Sequence, residues 1–325
     1  MGQASAFLWA YAFDDGAARA VTDQDLAGAP DDPEVWIWTH FPLSDQRSRL
    51  YLENLNEVPV AARTLILRAE QRVQIQFSGQ WAFGVLPDLE RDLDGRPVGP
   101  GRLLFAFDGR RLVTARRQAL RVVDEVRREA ERGALIASPA EAIVRFIERY
   151  VDVSEQRLHA AAEALDRVED QMLGDHGEVE GLKLGPTRRG LSRDHREYLG
   201  LRSALHRACV PREDHRVALL AQHLPRLAQE AEDLDREAAS LQERARLMHE
   251  ELDTQITSAT NRSMRALTVM SSLLIPPTLI VGAFGMNLSG IPFAGSAGGF
   301  VAACVLCFAV VAGAYWVLRR MRIMP

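Results

Sequence analysis

The sequence predicts an α+β domain followed by a long helical stalk and two C-terminal transmembrane helices. Runs rich in β-branched and aromatic residues occur between residues 35 and 116, and a seven-residue apolar repeat covers 224–252. Two uncharged apolar stretches then occupy 266–284 and 298–318. Each has about 20 residues, which is enough to cross a ~30 Å hydrocarbon core as a helix.

The N-terminal domain is predicted to cover residues 1–135 and to combine a sheet with helices. Gly-containing turns at 78–80 and 108–110 separate adjacent strand patterns, as in β-hairpins. Helical patterns at 50–70 and 120–132 are predicted to lie beside the sheet. The predicted strands are 35–39, 73–77, 81–85, 103–107 and 112–114.

A helical hairpin is predicted at 136–212, with helices at 139–172 and about 187–209. The stalk helix is predicted over 223–286, because no Gly or Pro interrupts the chain between Pro225 and Pro276. Its seven-residue repeat indicates a packed seam, either between long helices or inside an antiparallel bundle. The seam residues are Leu227, Ala231, Leu234, Ala238, Leu241, Ala245, Met248 and Leu252.

The membrane topology follows from the distribution of arginine. The first span is predicted at about 266–286, followed by an outer loop at 287–297, a second span at 298–318 and a basic tail at 319–325. The loop carries no charge, whereas arginines stand at the other end of both spans, at Arg262, Arg265, Arg319, Arg320 and Arg322. Positively charged flanks stay inside, so both termini are expected to be cytoplasmic.

Two alternatives apply to the apolar stretches. They are also compatible with a buried helical hairpin of a soluble protein. Cys304 and Cys307 have the spacing of a metal or redox pair, but in an apolar helix cysteine usually behaves as a small hydrophobic residue. Asp14 and Asp15 interrupt the only region where a signal peptide could lie, so export of the soluble part is not expected.

A stripe of small and polar residues runs along the end of the stalk helix and into the first span. In a symmetric oligomer such a stripe can line an aqueous path, and small residues can alternatively mediate close helix packing. Steps of four and three residues generate it: Glu250, Thr254, Thr257, Asn261, Met264, Thr268, Ser271, Ile275, Thr278, Gly282 and Gly285. Pro276 and Pro277 are expected to bend this helix or to free backbone carbonyls.

The stripe ends in Gly285-Met286-Asn287, and here the chain resembles the CorA superfamily of divalent-cation channels and transporters. The resemblance covers the N-terminal domain, the hairpin, the stalk, both spans and the basic tail. It implies a homopentameric, CorA-like funnel in a bacterial inner membrane, with the first span of each subunit lining the axis. Residue types that the family places along its pore stand at Asn261, Met264, Leu267, Thr278 and Gly282.

Within the superfamily the chain is similar to the ZntB zinc-transport branch, because Gly290-Ile291-Pro292 follows the motif and the loop has no acidic residue. Met286 departs from the Val or Ile common in that branch. The resemblance implies uptake of Zn²⁺, with proton coupling as one mechanism. A CorA-type channel for Mg²⁺, Co²⁺ or Ni²⁺ is the alternative, and Cd²⁺ is a further candidate cargo. Arg226 replaces a metal-sensing aspartate of some magnesium channels if the chains align without gaps.

Each part of this path has an expected role. Five Asn287 side chains would bind a hydrated cation at the outer mouth, where Gly285 allows the helices to converge. Met264, Leu267 and Ile275 would form apolar constrictions. Glu250 and Asp253 would form an acidic inner exit, and no carboxylate lies in the span itself.

Other function classes lack a pattern in this sequence. The net charge of −5 argues against a nucleic-acid partner, and there is no phosphate-binding glycine loop or nucleophile elbow, so no enzyme activity and no resident cofactor are expected. The histidines do not have the spacing of a metal site. A membrane-anchored coiled-coil sensor or scaffold is the alternative from another class.

Overall fold

The computed structural model describes residues 5–22, 25, 35–91, 97–173, 181–209, 215–286 and 297–320. The chain forms two compact units, Met1–Arg246 and Leu247–Pro325. Seven strands are described: β1 (Trp9–Asp14), β2 (Ala17–Ala20), β3 (Trp36–Pro42), β4 (Gln74–Ser78), β5 (Trp81–Arg91), β6 (Pro97–Phe107) and β7 (Arg111–Arg116). Seven helices with described bounds accompany them: α1 (Gln46–Asn54), α2 (Val60–Arg68), α3 (Val122–Glu131), α4 (Pro139–Leu173), α5 (Gly181–Ala208), α6 (His215–Phe284) and α7 (Ala297–Arg320).

The strands form one sheet in the order β2-β1-β3-β7-β6-β5-β4. Neighbouring strands are antiparallel except β3 and β7, which are parallel and pair Trp38 with Leu112 and His40 with Thr114. Each of the five predicted strands overlaps an observed strand. The stretch predicted to be helical at 50–70 is two helices, because Pro59 takes an extended conformation at the N-terminus of α2.

The hairpin of β1 and β2 was not predicted. Its two-residue turn places Asp15 at φ 46° and Gly16 at φ 78°. Positive φ at both central residues matches the right-handed twist of the flanking strands, and Asp-Gly is a preferred pair for such a turn. The turn signal is therefore present in the sequence, although the strands on each side of it are short.

Helices cover both faces of the sheet. On one face α1 and α2 bury Leu52, Ala62 and Ile66 against strand residues such as Phe83 and Val85. On the other face the aromatic residues of β1 and β3 pack together and reach α4. Trp36 stacks on Phe13 with 3.9 Å between ring centroids, and Trp38 lies 5.4 Å from Phe146.

Asp88 ties β5 to α3. Its carboxylate accepts hydrogen bonds from the backbone N–H groups of Val122 (2.8 Å) and Val123 (3.1 Å), at the start of α3, and from that of Leu89 (2.6 Å). The N–H groups of Val122 and Val123 belong to the first turn of α3, where a helix has no carbonyl partner of its own for them. Asp88 of β5 therefore caps α3. The carboxylate is fully buried, and burial raises the pKa of Asp88 to about 6 although the hydrogen bonds act in the opposite direction.

Helices α4, α5 and the first part of α6 form a three-helix bundle. Arg157 of α4 pairs with Asp194 of α5 at 2.7 Å, and Arg244 of α6 pairs with Asp166 of α4 at 2.7 Å. Nearer the start of α4, Tyr150 contacts Tyr198 of α5 and Glu148 pairs with Arg226 of α6, so α5 is antiparallel to α4 whereas α6 is parallel to it. Seven of the eight seam residues are buried: Leu227, Ala231, Leu234, Ala238, Ala245, Met248 and Leu252. Over 224–246 the repeat therefore serves a bundle within the chain, which was the alternative to a free stalk.

Two helix starts differ from the sequence predictions. Helix α6 begins at His215, ten residues before Pro225, and remains one helix of 70 residues through Pro225, Pro276 and Pro277. Helix α5 begins at Gly181 and accommodates Pro186 near its N-terminus. The long helix is thus confirmed, and it is longer than predicted.

The second unit contains the end of α6 and the helix α7. Both are long and apolar enough to span a membrane, with the α7 segment at Phe300–Arg320. Large apolar side chains are exposed on both helices, among them Leu279 (75%), Phe300 (76%) and Phe308 (78%). Such a surface is not stable against water, so it requires lipid or neighbouring helices. The thiol of Cys307 lies 3.9 Å from the carbonyl oxygen of Pro277, where α7 contacts α6.

Candidate functional site

The end of α6 is closed by backbone hydrogen bonds at the Gly-Met pair. The N–H of Gly285 donates to the carbonyl oxygen of Val281 (2.9 Å), and that of Met286 donates to Ala283 (3.3 Å). A Cβ added to Gly285 would lie 3.2 Å from the Val281 oxygen, which leaves little room for a larger residue. Asn287, the predicted ligand of the cation, lies outside the described residues together with the loop that follows it.

The predicted stripe lies on the surface of α6 in a single chain. Glu250, Asp253 and all stripe residues from Thr254 to Gly285 are exposed except Ser271, which is half-buried. Leu267 is also exposed, at 61%. A face with this mixture of small, polar and apolar side chains is therefore available to an aqueous path or to neighbouring subunits.

Three predicted stripe residues meet in one open groove of about 600 Å³ near the end of α6. Ile275, Thr278 and Gly282 line it. Met286 of the motif also lines the groove, together with Leu274, Leu279 and Ala283, which the sequence did not indicate. These three apolar residues are each adjacent in sequence to a stripe residue, so steps of four and three residues pass over them.

Three of the four threonines of the stripe share one hydrogen-bond pattern. The hydroxyls of Thr254, Thr268 and Thr278 each donate to the backbone carbonyl four residues earlier, at 2.9, 2.8 and 2.7 Å. The hydroxyl proton is used inside the helix, so the oxygen presents only its lone pairs outward. These side chains are consequently hydrogen-bond acceptors toward whatever faces the stripe.

Charge on this part of α6 is confined to the end nearest the bundle. Glu250 and Asp253 are exposed there, and the Nε2 atom of His249 lies 3.8 Å from a carboxylate oxygen of Asp253. Arg262 and Arg265 follow before the apolar segment. Across the described residues, no group of three or more His, Cys, Asp or Glu side chains is arranged to hold a metal ion. Any cation on the stripe therefore meets neutral oxygen atoms and a single acidic end.

Comparison with protein families resolves what kind of molecule carries this helix. The family model described as CorA-like Mg²⁺ transporter protein matches residues 33–320. The chain belongs to this family. The match spans most of the sheet, the three-helix bundle and both apolar helices, so the CorA-like resemblance predicted from Gly285-Met286-Asn287 is confirmed.

Individual relatives in the CorA-like family are distant but cover nearly the whole chain. The zinc transport protein ZntB of Pectobacterium atrosepticum is 23% identical over 334 aligned residues, covering 98% of this chain and 96% of the relative. The divalent cation transporter CmaX of Pseudomonas aeruginosa is 24% identical over 323 aligned residues, covering 94% and 93%.

Solved structures agree on the CorA-like fold. The full-length CmaX protein superposes with a TM-score of 0.85 at 22% identity and 99% coverage of both chains. The CorA magnesium transporter of Methanocaldococcus jannaschii gives a TM-score of 0.73 at 16% identity, covering 96% of this chain and 97% of that one. The predicted fold class, a sheet domain with a long helix and two C-terminal apolar helices, is confirmed.

Proposed function

We propose that this protein transports divalent metal cations across a bacterial inner membrane as a homopentamer, with α6 of each subunit lining the path and both termini cytoplasmic. The observation that carries the proposal is the family match over 33–320 together with the exposed stripe on α6. An anchor for a sensor or scaffold would have no need for a polar stripe inside an apolar segment.

The threonine pattern supports a cation as cargo. Water molecules bound to a cation direct their hydrogen atoms outward, so a wall that offers only acceptors can bind the hydration shell. A hydrated anion would require donors instead. Thr254, Thr268 and Thr278 provide acceptors at three levels of the helix without placing a charge against the lipid.

The driving force needs no nucleotide. A divalent cation that enters down an inside-negative potential gains about 4.6 kcal/mol per 100 mV, which is twice the single-charge value. Glu250 and Asp253 would attract the cation at the inner end, and Asn287 would bind it with its hydration water at the outer end. Met264, Leu267 and Ile275 would act as apolar constrictions between these ends.

Zn²⁺ is the proposed cargo, and proton coupling is one mechanism for its uptake. The relatives include a zinc transport protein, and the Gly290-Ile291-Pro292 sequence after the motif favours the same branch. The second candidate is a channel for Mg²⁺, Co²⁺ or Ni²⁺, which is favoured by the description of the family model and by the name of CmaX as a divalent cation transporter.

Uptake into liposomes tests the path. Liposomes that contain the full-length protein and a zinc-sensitive dye should take up Zn²⁺, and Asn287→Ala should abolish most of that uptake. Thr278→Val should reduce uptake because it removes a wall acceptor while retaining the side-chain shape. Thr260→Val is the matched control, since the Thr260 hydroxyl makes the same bond to the carbonyl four residues earlier (2.9 Å) but lies off the stripe.

Equal uptake by Asn287→Ala and the unmodified protein would refute the pore assignment. Equal loss in Thr278→Val and Thr260→Val would show that the threonines act on helix stability and not on the cation. An imposed pH gradient separates the mechanisms, because a channel is indifferent to it. Competition by Mg²⁺, Co²⁺, Ni²⁺ and Cd²⁺ ranks the cargo.

A further inference from the structure

The ends of the two apolar helices that are proposed to face the cytoplasm carry arginines and no acidic residue. The sequence after Asp253 contains no Asp or Glu. Its arginines are Arg262, Arg265, Arg319 and Arg320, which are exposed, and Arg322, which lies outside the described residues. Asp253 is about 14 Å from Arg262 along the axis of α6, which is too far for an ion pair. This segment of the chain therefore offers no anion to its own arginines.

The arginines of α6 and α7 lie at one level. The thiol of Cys307 lies 3.9 Å from the carbonyl oxygen of Pro277. This contact is seven residues before the end of α6 and ten residues after the start of α7, as in an antiparallel hairpin. Twelve residues further from the connection, each helix reaches an arginine, Arg265 on α6 and Arg319 on α7.

That level coincides with the phosphate layer of a bilayer. The contact between the two helices is close to the middle of both apolar stretches, 266–284 and 298–318. Twelve residues correspond to about 18 Å along a helix, whereas half of the hydrocarbon core is about 15 Å thick. For helices close to the bilayer normal, Arg265 and Arg319 therefore lie about 3 Å beyond the hydrocarbon, where the headgroup region begins.

One arginine stacks on an aromatic ring on the side of α7 that faces away from α6. The Cζ atom of Arg320 lies 5.4 Å from the centroid of the Trp316 ring. Cys307, which contacts α6, shares one face of α7 with the half-buried Ala314 and the buried Leu318 (6% exposed). Trp316 is two residues from each of the latter, about half a turn away, and is 60% exposed. Its side of α7 faces lipid if α6 lines the path.

This arrangement suits the phosphate group of a lipid. A guanidinium stacked on an aromatic ring keeps its N–H groups in its own plane, where they can donate to two phosphate oxygens. An indole ring is stable at the boundary between hydrocarbon and headgroups. Phosphatidylglycerol leaves the negative charge of its phosphate uncompensated, whereas phosphatidylcholine carries a quaternary ammonium group that arginines repel. The chemistry therefore favours an anionic phospholipid over a zwitterionic one.

We propose that Arg319 and Arg320, with Trp316 as a stacking platform, bind the phosphate of an anionic phospholipid in the cytoplasmic leaflet. Arg262 and Arg265 add positive charge at about the same level. Arginines at the cytoplasmic ends of membrane helices attract anionic lipids over a distance of about one Debye length. The inference rests on the membrane placement in the proposed function and adds a lipid partner to it.

Quenching of tryptophan emission by brominated lipids measures lipid contact at this position, because Trp316 is the one tryptophan of the chain outside the sheet. Full-length protein is placed in vesicles of equal parts phosphatidylcholine and phosphatidylglycerol, of which only one is brominated in its acyl chains. Trp316→Phe gives the emission of the sheet tryptophans, which is subtracted. Brominated phosphatidylglycerol should quench Trp316 more strongly than brominated phosphatidylcholine does.

Arg319→Gln combined with Arg320→Gln removes both proposed ligands. The affinity for phosphatidylglycerol relative to phosphatidylcholine should fall by about thirtyfold, which corresponds to about 1 kcal/mol for each arginine. Arg167→Gln combined with Arg236→Gln is the matched control, because these two side chains are each 66% exposed and carry the same total charge in the bundle. The control should keep the full preference. Brominated phosphatidylcholine should still quench the first variant, which shows that α7 keeps its place in the bilayer.

The possible failures are distinguishable. Equal quenching of the unmodified protein by the two lipids would overturn the lipid site and leave the membrane placement intact, whereas quenching by neither lipid would overturn both. An equal loss of preference in the control variant would indicate general electrostatic attraction in place of a site. Displacement by inorganic phosphate, but not by chloride at the same ionic strength, would indicate a site for free phosphate and would also overturn the proposal. Because no measurement requires ion flux, a failure of the transport assay leaves this result intact.

Discussion

The replacement of Thr114 by valine tests the buried polar centre of the sheet. The Thr114 hydroxyl accepts a hydrogen bond from Trp38 Nε1 (2.8 Å) and donates to the carbonyl oxygen of Thr39 (3.2 Å). His40 Nδ1 lies 2.8 Å from the same oxygen, and since the hydroxyl proton is already used, His40 must donate from Nδ1. Burial holds the pKa of His40 well below its usual range, so the ring is neutral.

The expected cost follows from the two donors that lose their acceptor. Valine has nearly the shape of threonine, so packing is retained, but Trp38 and His40 each keep a buried N–H without a partner. Each costs about 1–3 kcal/mol, which gives about 2–6 kcal/mol for Thr114→Val. For a unit of this size a loss of about 3 kcal/mol lowers Tm by roughly 6–12 °C.

Thermal unfolding of the full-length protein in detergent, followed by tryptophan emission, measures this loss. Four of the five tryptophans lie in the sheet, at Trp9, Trp36, Trp38 and Trp81, so the signal reports the correct unit. Thr114→Ser is the control, because it keeps the hydroxyl and removes one methyl group, at a cost of about 1 kcal/mol. If Thr114→Val proved as stable as Thr114→Ser, the hydroxyl would not be the centre of this network.

Two further predictions concern other parts of the fold. The raised pKa of Asp88, about 6 against 3.8, means that its contribution to stability is complete below pH 4 and is lost as pH rises through 6. The loss amounts to about 3 kcal/mol. Asp88→Asn should therefore abolish this pH dependence of the free energy of unfolding, and a variant that kept the same pH dependence would contradict the assignment. Gly84→Ala should disrupt the pairing of β4 with β5, because an added Cβ would overlap the carbonyl oxygen of Gln74. Gly190→Ala is the control, because an added Cβ there meets no described atom within 4 Å. It should increase the free energy of unfolding by up to about 1 kcal/mol and so raise Tm slightly. Equal Tm values for the two variants would refute the steric argument.

Local patterns predicted the elements of the fold but not their partners. Alternation of side chains located five of the seven described strands, and the length of the apolar stretches located the two helices that are candidate membrane spans. The heptad repeat predicted that one face of α6 is buried, yet it could not tell whether the covering helices belong to the same chain. The contacts of Arg244 with Asp166 and of Arg202 with Asp235 answer this question for the bundle, and they depend on residues far apart in sequence.

The residues of the candidate site were also predicted only in part. The period of the stripe identified Ile275, Thr278 and Gly282, which line one groove. Their apolar neighbours were missed because the sequence does not reveal how wide the exposed face is. The role of Asn287 remains a prediction.

The parallel pairing of β3 with β7 constrains the order in which this protein can fold during synthesis. Strands β4 to β7 form from neighbours in the sequence, but Trp38 of β3 must wait for Leu112 of β7. Until that part of the chain has left the ribosome, the aromatic face of β1 and β3 has no complete sheet to join. The closure of the loop between β3 and β7 is therefore expected to limit the folding rate. Because both apolar helices are made afterwards, the sheet has the opportunity to close before the chain enters the membrane.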